Sequence, residues 1–231
     1  ADYYLKNFED LGVIIIIPKS FEWLIPEGVS EVWLIDIKLS QAQNWFVKFD
    51  EFVHSELKRF DVIYLSLAFS HPDFSELDIS RFCKVNRFDM SQFLKKPVSI
   101  TFITREDRLW VNKAFSFFVT RNRFRTLPKL FRMPFIYHQN KLVCKTFRLI
   151  KKMLPDVNFN VVGLGKTGIL DSFINDYRKN DLNQTVELEW CNVYAQSQII
   201  LGIHGSNMIL PTALAGSFIE ILPENRLGNI I

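Results

Sequence analysis

The residues best suited to chemistry lie near the carboxyl terminus, in Ile199–Pro223, IILGIHGSNMILPTALAGSFIEILP. The apolar run from Ile199 to Ile203 is long enough for one buried strand, and the polar turn His204-Gly205-Ser206-Asn207 follows at once. Met208 to Ala215 reads as a short helix, Gly216 stops it, and Phe218 to Leu222 reads as a second strand. Strand, tight turn, helix and strand form the unit of a parallel α/β sheet. Such a turn presents backbone N–H groups at a helix N-terminus, which favours an anion there, most often a phosphate. Gly205 permits close backbone approach, Ser206 or Asn207 can cap the helix, and Pro211 falls in its first turn. Glu220 would stand beside the turn, where a carboxylate can accept from sugar or ribose hydroxyls. The same residues also suit a plain helix cap with a half-buried histidine.

Arg105 and Arg108 follow an apolar and hydroxyl-rich run, Val98–Ile103. Two guanidinium groups at a strand end can neutralise a diphosphate; they equally suit a turn salt-bridged to Glu106 and Asp107. His71 and Asp73, in Ser70-His71-Pro72-Asp73, are candidates for a base that deprotonates an acceptor hydroxyl, by residue type and position alone. A turn built on Pro72 with Asp73 as its cap explains them as well. Gly163-Leu164-Gly165-Lys166-Thr167-Gly168 meets the formal terms of a dinucleotide fingerprint, with Glu187 and Glu189 about 20 residues on. Lys166 and Thr167 are bulky for a pyrophosphate turn, and a glycine turn at a cleft edge is the competing account. Asn160 stands where a Walker loop would need its first glycine. Arg121, Arg123, Arg125, Lys129 and Arg132, interleaved with Phe124 and Phe131, suit a nucleic-acid patch less well than a solvated loop or a lip over an anionic donor or lipid-linked acceptor.

Ile203 to Pro223 resembles the C-terminal signature of GT-B glycosyltransferases, especially the family of plant xylosyl- and arabinosyltransferases and the EGF-domain O-GlcNAc transferase. In that pattern a strand leads into His-Gly-Ala/Ser-Gly/Asn, a helix, and Val-Ile-Glu-Ile-x-Pro. The segment from Ile103 to Asn112, with Arg105, Arg108 and Asn112, is similar to the family's strand-end Arg-x-x-Arg-x-x-x-Asn. The resemblance implies sugar transfer from a nucleotide-sugar donor to a glycan, lipid-linked or protein acceptor, as in polysaccharide biosynthesis, by a hexosyl- or pentosyltransferase. Arg105 and Arg108 would neutralise the diphosphate, His204 to Asn207 would cradle it through backbone N–H groups, and Glu220 would hold donor hydroxyls. Trp190 falls where such proteins often hold the nucleotide base. Departure of a nucleoside diphosphate needs its growing charge stabilised by cations and dipoles or by a metal. The sequence has no Asp-x-Asp triplet, so the expected route is inverting and metal-independent, with no cofactor. The alternatives are an NAD(P)-dependent oxidoreductase using the Gly163-Gly165-Gly168 turn, or a non-catalytic nucleotide-sugar-binding module.

The elements that must position these groups read as follows. Gly12–Pro18 and Val32–Asp36 are strands, and Ser40-x-x-Gln43 opens a helix whose stripe is Ala42, Trp45, Phe49, Phe52, Val53 and Leu57. Asp61–Leu67 is a third strand. The pattern restarts near Lys95–Pro97: strand Val98–Ile103, a helix over Trp110–Val119, and a loop over Arg121–Pro134. Then come a helix over Leu142–Leu154 with Leu142, Thr146, Leu149 and Met153 on one side, strand Val157–Val162, helix Ile169–Arg178, strand Thr185–Leu188 and helix Trp190–Gln198. The expected architecture is α/β, two Rossmann-like halves facing across a cleft (GT-B-like): residues 1–97 on the acceptor side and 98–231 on the donor side. GT-B chains usually continue with helices past the Glu220 strand, so either the chain is incomplete at its termini or its cleft is built more sparely.

Composition sets the outer bounds. The 231 residues are 48% hydrophobic and 23% charged, a globular balance, and a net charge of +3 does not by itself imply nucleic acid. The 22 phenylalanines read as core filling. Cys83, Cys144 and Cys191 are odd in number and form no CxxC, so no zinc or disulfide framework is signalled and a reducing compartment, the cytoplasm, is expected, with peripheral membrane association compatible. No apolar run reaches the ~18–20 residues of a membrane span, and no signal peptide is evident, although the chain opens on Ala1 without a methionine.

Overall fold

The structure, a computed structural model, describes residues 1–37, 47–65, 77–95, 97–111, 124 and 127–222. The chain divides into two compact units, Ala1–Phe82 and Cys83–Ile231. Both are α/β with parallel sheets.

The first unit opens with α1 (Asp2–Asn7) and holds β1 (Ile14–Pro18) and β2 (Glu31–Ile35), paired in parallel from Ile14↔Glu31 to Pro18↔Ile35. The four successive isoleucines of β1 are β-branched, which suits a pleated strand. Helix α2 (Val47–Leu57) sets Phe52 edge-on against the buried Trp33, with ring centroids 5.4 Å apart. The Asp2 carboxylate is buried and takes Lys6 at 2.9 Å and Arg81 at 2.7 Å, so its charge is matched inside the unit. Of the sequence-predicted third strand, residues 61–65 are not a strand; Val62, Tyr64 and Leu65 are exposed there, and residues 66–67 lie outside the described part. The segment has the composition of a strand, but among the described residues it pairs with none.

The second unit holds five parallel strands: β3 (Val98–Arg105), β4 (Val157–Leu164), β5 (Ile174–Asp176), β6 (Ile199–Ile203) and β7 (Ser217–Ile221). Their order across the sheet is β5-β4-β3-β6-β7. Counted from the first strand this is 3-2-1-4-5, an order compatible with a Rossmann-like fold, and it reverses between β3 and β6. Helices α3 (Lys129–Met153), α4 (Gln184–Ala195) and α5 (Ile209–Leu214) lie between successive strands. Phe102, Phe147, Phe159, Val161 and Ile200 are fully buried, with the Phe147 and Phe159 rings 4.5 Å apart. Burial of such side chains contributes about 1.5–3 kcal/mol each.

Through this core runs a seam of side-chain hydrogen bonds, each donor feeding the next acceptor. Asn175 on β5 donates to Asn160 on β4 at 3.0 Å; Asn160 donates to Thr101 on β3 at 3.1 Å. The Thr101 and Ser197 hydroxyls lie 2.6 Å apart, and Ser197 donates to the Val193 carbonyl at 2.7 Å, so Thr101 is the donor to Ser197. Its buried members, Asn160, Thr101 and Ser197, each have a partner, which burial requires.

Several elements differ from the sequence expectation. Residues 129–134, read as loop, are the start of α3, which carries Pro134 inside it. The buried stripe of α3 is Ile136, Gln139, Asn140, Val143, Cys144 and Phe147, whereas Leu149 and Met153, expected on the apolar side, are exposed. Ile169–Arg178 is not a helix: it contains β5, reached from β4 by a short turn. Thr185–Leu188 is not a strand but part of α4, capped by Asn183, whose side chain accepts from the Val186 N–H. Trp110 and Val111 are not helical, and residues 112–120 lie outside the described part. Among the described residues no helix is long and apolar enough to cross a membrane.

Candidate functional site at the carboxyl ends of β3 and β6

The strands β3 and β6 are direct neighbours, paired from Ile100↔Ile199 to Ile103↔Gly202. Their carboxyl ends therefore deliver Arg105 and Arg108 from one and His204 to Asn207 from the other to the point where strand order reverses. Open α/β sheets keep their ligands in the crevice outside such a point.

The arginine loop is clamped from α3. Gln139, buried in the helix, donates to the Arg105 carbonyl at 3.2 Å and accepts from the Trp110 N–H at 2.7 Å, while Arg132 donates to the Glu106 carbonyl at 3.1 Å. Sequence reading missed Gln139. Its signal was a polar residue on the apolar stripe, between Ile136 and Val143. The two arginines then part ways. Arg105 pairs with Asp107, Nε to Oδ1 at 2.7 Å, and donates through Nη1 to Asn207 Oδ1 at 3.1 Å. Its charge is matched within the protein, so it braces the two loops. Arg108 reaches the other loop by donating from Nη1 to the His204 carbonyl at 3.4 Å, and it lines an open pocket.

That pocket, about 520 Å³, is walled by Arg108, His204, Gly205, Ser206, Ile209 and Glu220, with Met208 and Thr212 below. Ligand pockets usually run ≈ 300–1,000 Å³. Gly205 has φ +151, and a Cβ on it would strike the Arg108 guanidinium, so the glycine leaves room for that cation where it stands. The His204 N–H is committed to the Ile221 carbonyl at 3.0 Å, and that of Met208 to Gly205 at 2.8 Å. Only Gly205, Ser206 and Asn207 can offer backbone N–H groups, fewer than the sequence suggested. The helix behind them is also slight, a 3-10 turn Ser206–Met208 and then the six residues of α5, so the side-chain cation outweighs the dipole. The Asn207 side-chain Nδ2 is buried and, among the described residues, has no hydrogen-bond partner.

His204 and Glu220 form a pair across β6 and β7, His204 Nδ1 against Glu220 Oε2. Glu220 therefore orients the imidazole first, a role the sequence did not suggest, and its second oxygen is what remains for hydroxyls. The contact engages Nδ1 and leaves Nε2 as the ring's other working atom.

Trp190, expected at a nucleotide base, is buried in α4 and donates its indole N–H to the Tyr177 carbonyl at 2.8 Å; it does not line the pocket. His71, Asp73 and Asn112 lie outside the described residues. Among the described residues no group of three or more His, Cys, Asp or Glu side chains could hold a metal ion.

The glycine turn after β4 opens a separate pocket, about 670 Å³, lined by Tyr137, Lys166, Ile169, Asp171 and Asp176 among others. The helix a dinucleotide fingerprint needs does not follow; β5 does. A Cβ on Gly165 would meet the Glu106 side chain, and one on Gly168 would come within 2.8 Å of the Tyr137 ring, so contacts within the protein account for these glycines. Arg178, 2% exposed, pins the turn: it pairs with Asp176 at 2.8 Å and donates to the Thr167 and Gly168 carbonyls at 3.1 and 2.9 Å. Burial alone would raise the Asp176 carboxyl, but hydrogen bonds from Arg178 and its charge hold it below the usual carboxylate value.

Comparison of the chain with protein families, with curated proteins and with solved structures found no match to any of them.

Proposed function

We propose that the second unit grips the diphosphate of a nucleotide-sugar donor between Arg108 and the His204–Asn207 loop, and that the chain is a GT-B-type glycosyltransferase acting on a hydroxyl acceptor. The observation that carries this reading is the meeting of Arg108 with the His204 carbonyl, 96 residues apart in sequence, at the strand-order reversal and on the wall of a pocket. It is the juxtaposition that the two family-like motifs require. The bond that breaks joins the anomeric carbon to a phosphate oxygen, and negative charge grows on the leaving diphosphate. Arg108 stabilises that charge. The His204 imidazole, oriented by Glu220 at Nδ1, stands on the wall of the same pocket. Attack from the opposite face by the acceptor oxygen inverts the anomeric carbon, its proton passing to a base.

Isothermal titration with UDP-, GDP- and CMP-sugars beside NAD tests the reading. Binding of one nucleotide sugar, lost on Arg108→Ala, is expected. A response to NAD with none to any nucleotide sugar overturns it in favour of an oxidoreductase, and donor binding without transfer to any acceptor reduces it to a binding module.

A further inference from the structure

The outward side of α3 is chemically one-sided. Over Lys129–Met153 the helix has no acidic residue, and Lys141, Lys145 and Lys152 share its exposed face with Leu130, Pro134 and Tyr137. The spacing 130, 134, 137, 141, 145, 148, 152 follows the three-to-four repeat of a single helical stripe, about 33 Å long at 1.5 Å per residue; on it Arg148 is paired with Asp171, so among the described residues the lysines carry the unmatched charge. Its first turns are apolar where they should be wet: Leu130 is 73% exposed and Phe131 64%. The glycine turn adds Ile169, 93% exposed, beside the same helix, since Gly168 packs against Tyr137. The opposite face of α3 is packed into the core through Ile136, Val143 and Phe147, so the stripe points away from the sheet.

We propose that this face docks on an anionic phospholipid bilayer. The helix lies in the plane of the headgroups, with Leu130, Phe131 and Ile169 dipping into the acyl boundary and Lys141, Lys145 and Lys152 among the phosphates. Charge complementarity selects an anionic surface, and the apolar residues select lipid over nucleic acid, because exposed Leu, Phe and Ile gain nothing from a phosphate backbone. Basic-apolar helices of this kind bind through buried apolar area and attraction to anionic lipid together. The inference does not depend on the sugar-transfer reading.

Co-sedimentation with phosphatidylcholine vesicles, with and without phosphatidylserine, tests it. Binding is expected only with phosphatidylserine, weakening as salt rises. Replacing Lys141, Lys145 and Lys152 by Gln should weaken it roughly fivefold per lysine. Leu130→Ser with Phe131→Ser, and separately Ile169→Ser, should also release the protein; all are exposed, and unchanged circular dichroism shows that the fold is kept. Absence of binding to phosphatidylserine vesicles, or binding that survives both sets of substitutions, overturns the proposal. So does binding to single-stranded RNA that equals vesicle binding and ignores the apolar substitutions.

Discussion

The guanidinium of Arg108 occupies the space that a side chain at position 205 would need. The glycine gives the guanidinium its room: with a Cβ at position 205 the tip of Arg108 must shift from where it meets the loop. Gly205→Ala should lose donor affinity as Arg108→Ala does, and should also cost about 1–3 kcal/mol of stability because its φ is positive. The check is a double-mutant cycle read by titration calorimetry. Loss of affinity in the pair should be no greater than in either single variant, since both remove the same contact.

Arg105 and Arg108, three residues apart, should separate in their effects. Arg105 is tied to Asp107 and Asn207, so Arg105→Ala should lower stability by about 1–2 kcal/mol in urea melts by loss of charged hydrogen bonds. Arg108→Ala should weaken nucleotide-sugar binding roughly 10- to 100-fold, the worth of a charged hydrogen bond. Equal effects of the two on binding would remove the distinction between brace and ligand.

Glu220→Gln keeps the shape of the pair with His204 and removes the carboxylate that orients the imidazole. Transfer should fall by about 10²-fold, in the range of lost proton-transfer assistance, while affinity for the nucleoside diphosphate alone falls much less. Steady-state kinetics and calorimetry on the same variant decide between this and a role limited to holding hydroxyls, which would weaken donor binding and transfer together.

Glu187 supplies a pH test of stability. Burial in α4 raises its carboxyl above the usual value. A carboxyl raised on folding carries no penalty below its unfolded pKa of ~4.3 and opposes folding once ionised. Stability from this residue is therefore lost as pH rises through its folded pKa. Glu187→Gln should melt higher than the parent at neutral pH, and the gap should close as pH drops below about 4. A gap that persists in acid would assign the gain to packing instead.

How much of this was legible depended on where each residue's partners stand in the chain. Runs such as Val98–Arg105 and Val157–Leu164 are buried on both faces of a parallel sheet, so their apolar character shows in the residues themselves. The meeting of the arginine and histidine loops followed from motif order. Elements whose identity rests on tertiary context were misread. Thr185–Leu188 has β-branched residues at its start, yet the Asn183 cap makes it helix; Pro134 and the basic residues hid the first turns of α3; the turn after Gly168 is held by Arg178, and a lone buried arginine leaves no periodic trace. The pairing of His204 with Glu220 depends on the β6–β7 register, which no local pattern encodes.

The line of hydrogen bonds from Asn175 through Asn160 and Thr101 to Ser197 fixes more than polar bookkeeping. A strand sliding by one residue would turn each of these groups to the opposite face and strand it without a mate. The seam indexes β5, β4 and β3 to the turn leading into β6, so the two strands that present Arg108 and His204 cannot creep past each other. Whatever adjustment a bound molecule demands must come from the loops alone, on a platform whose alignment is locked.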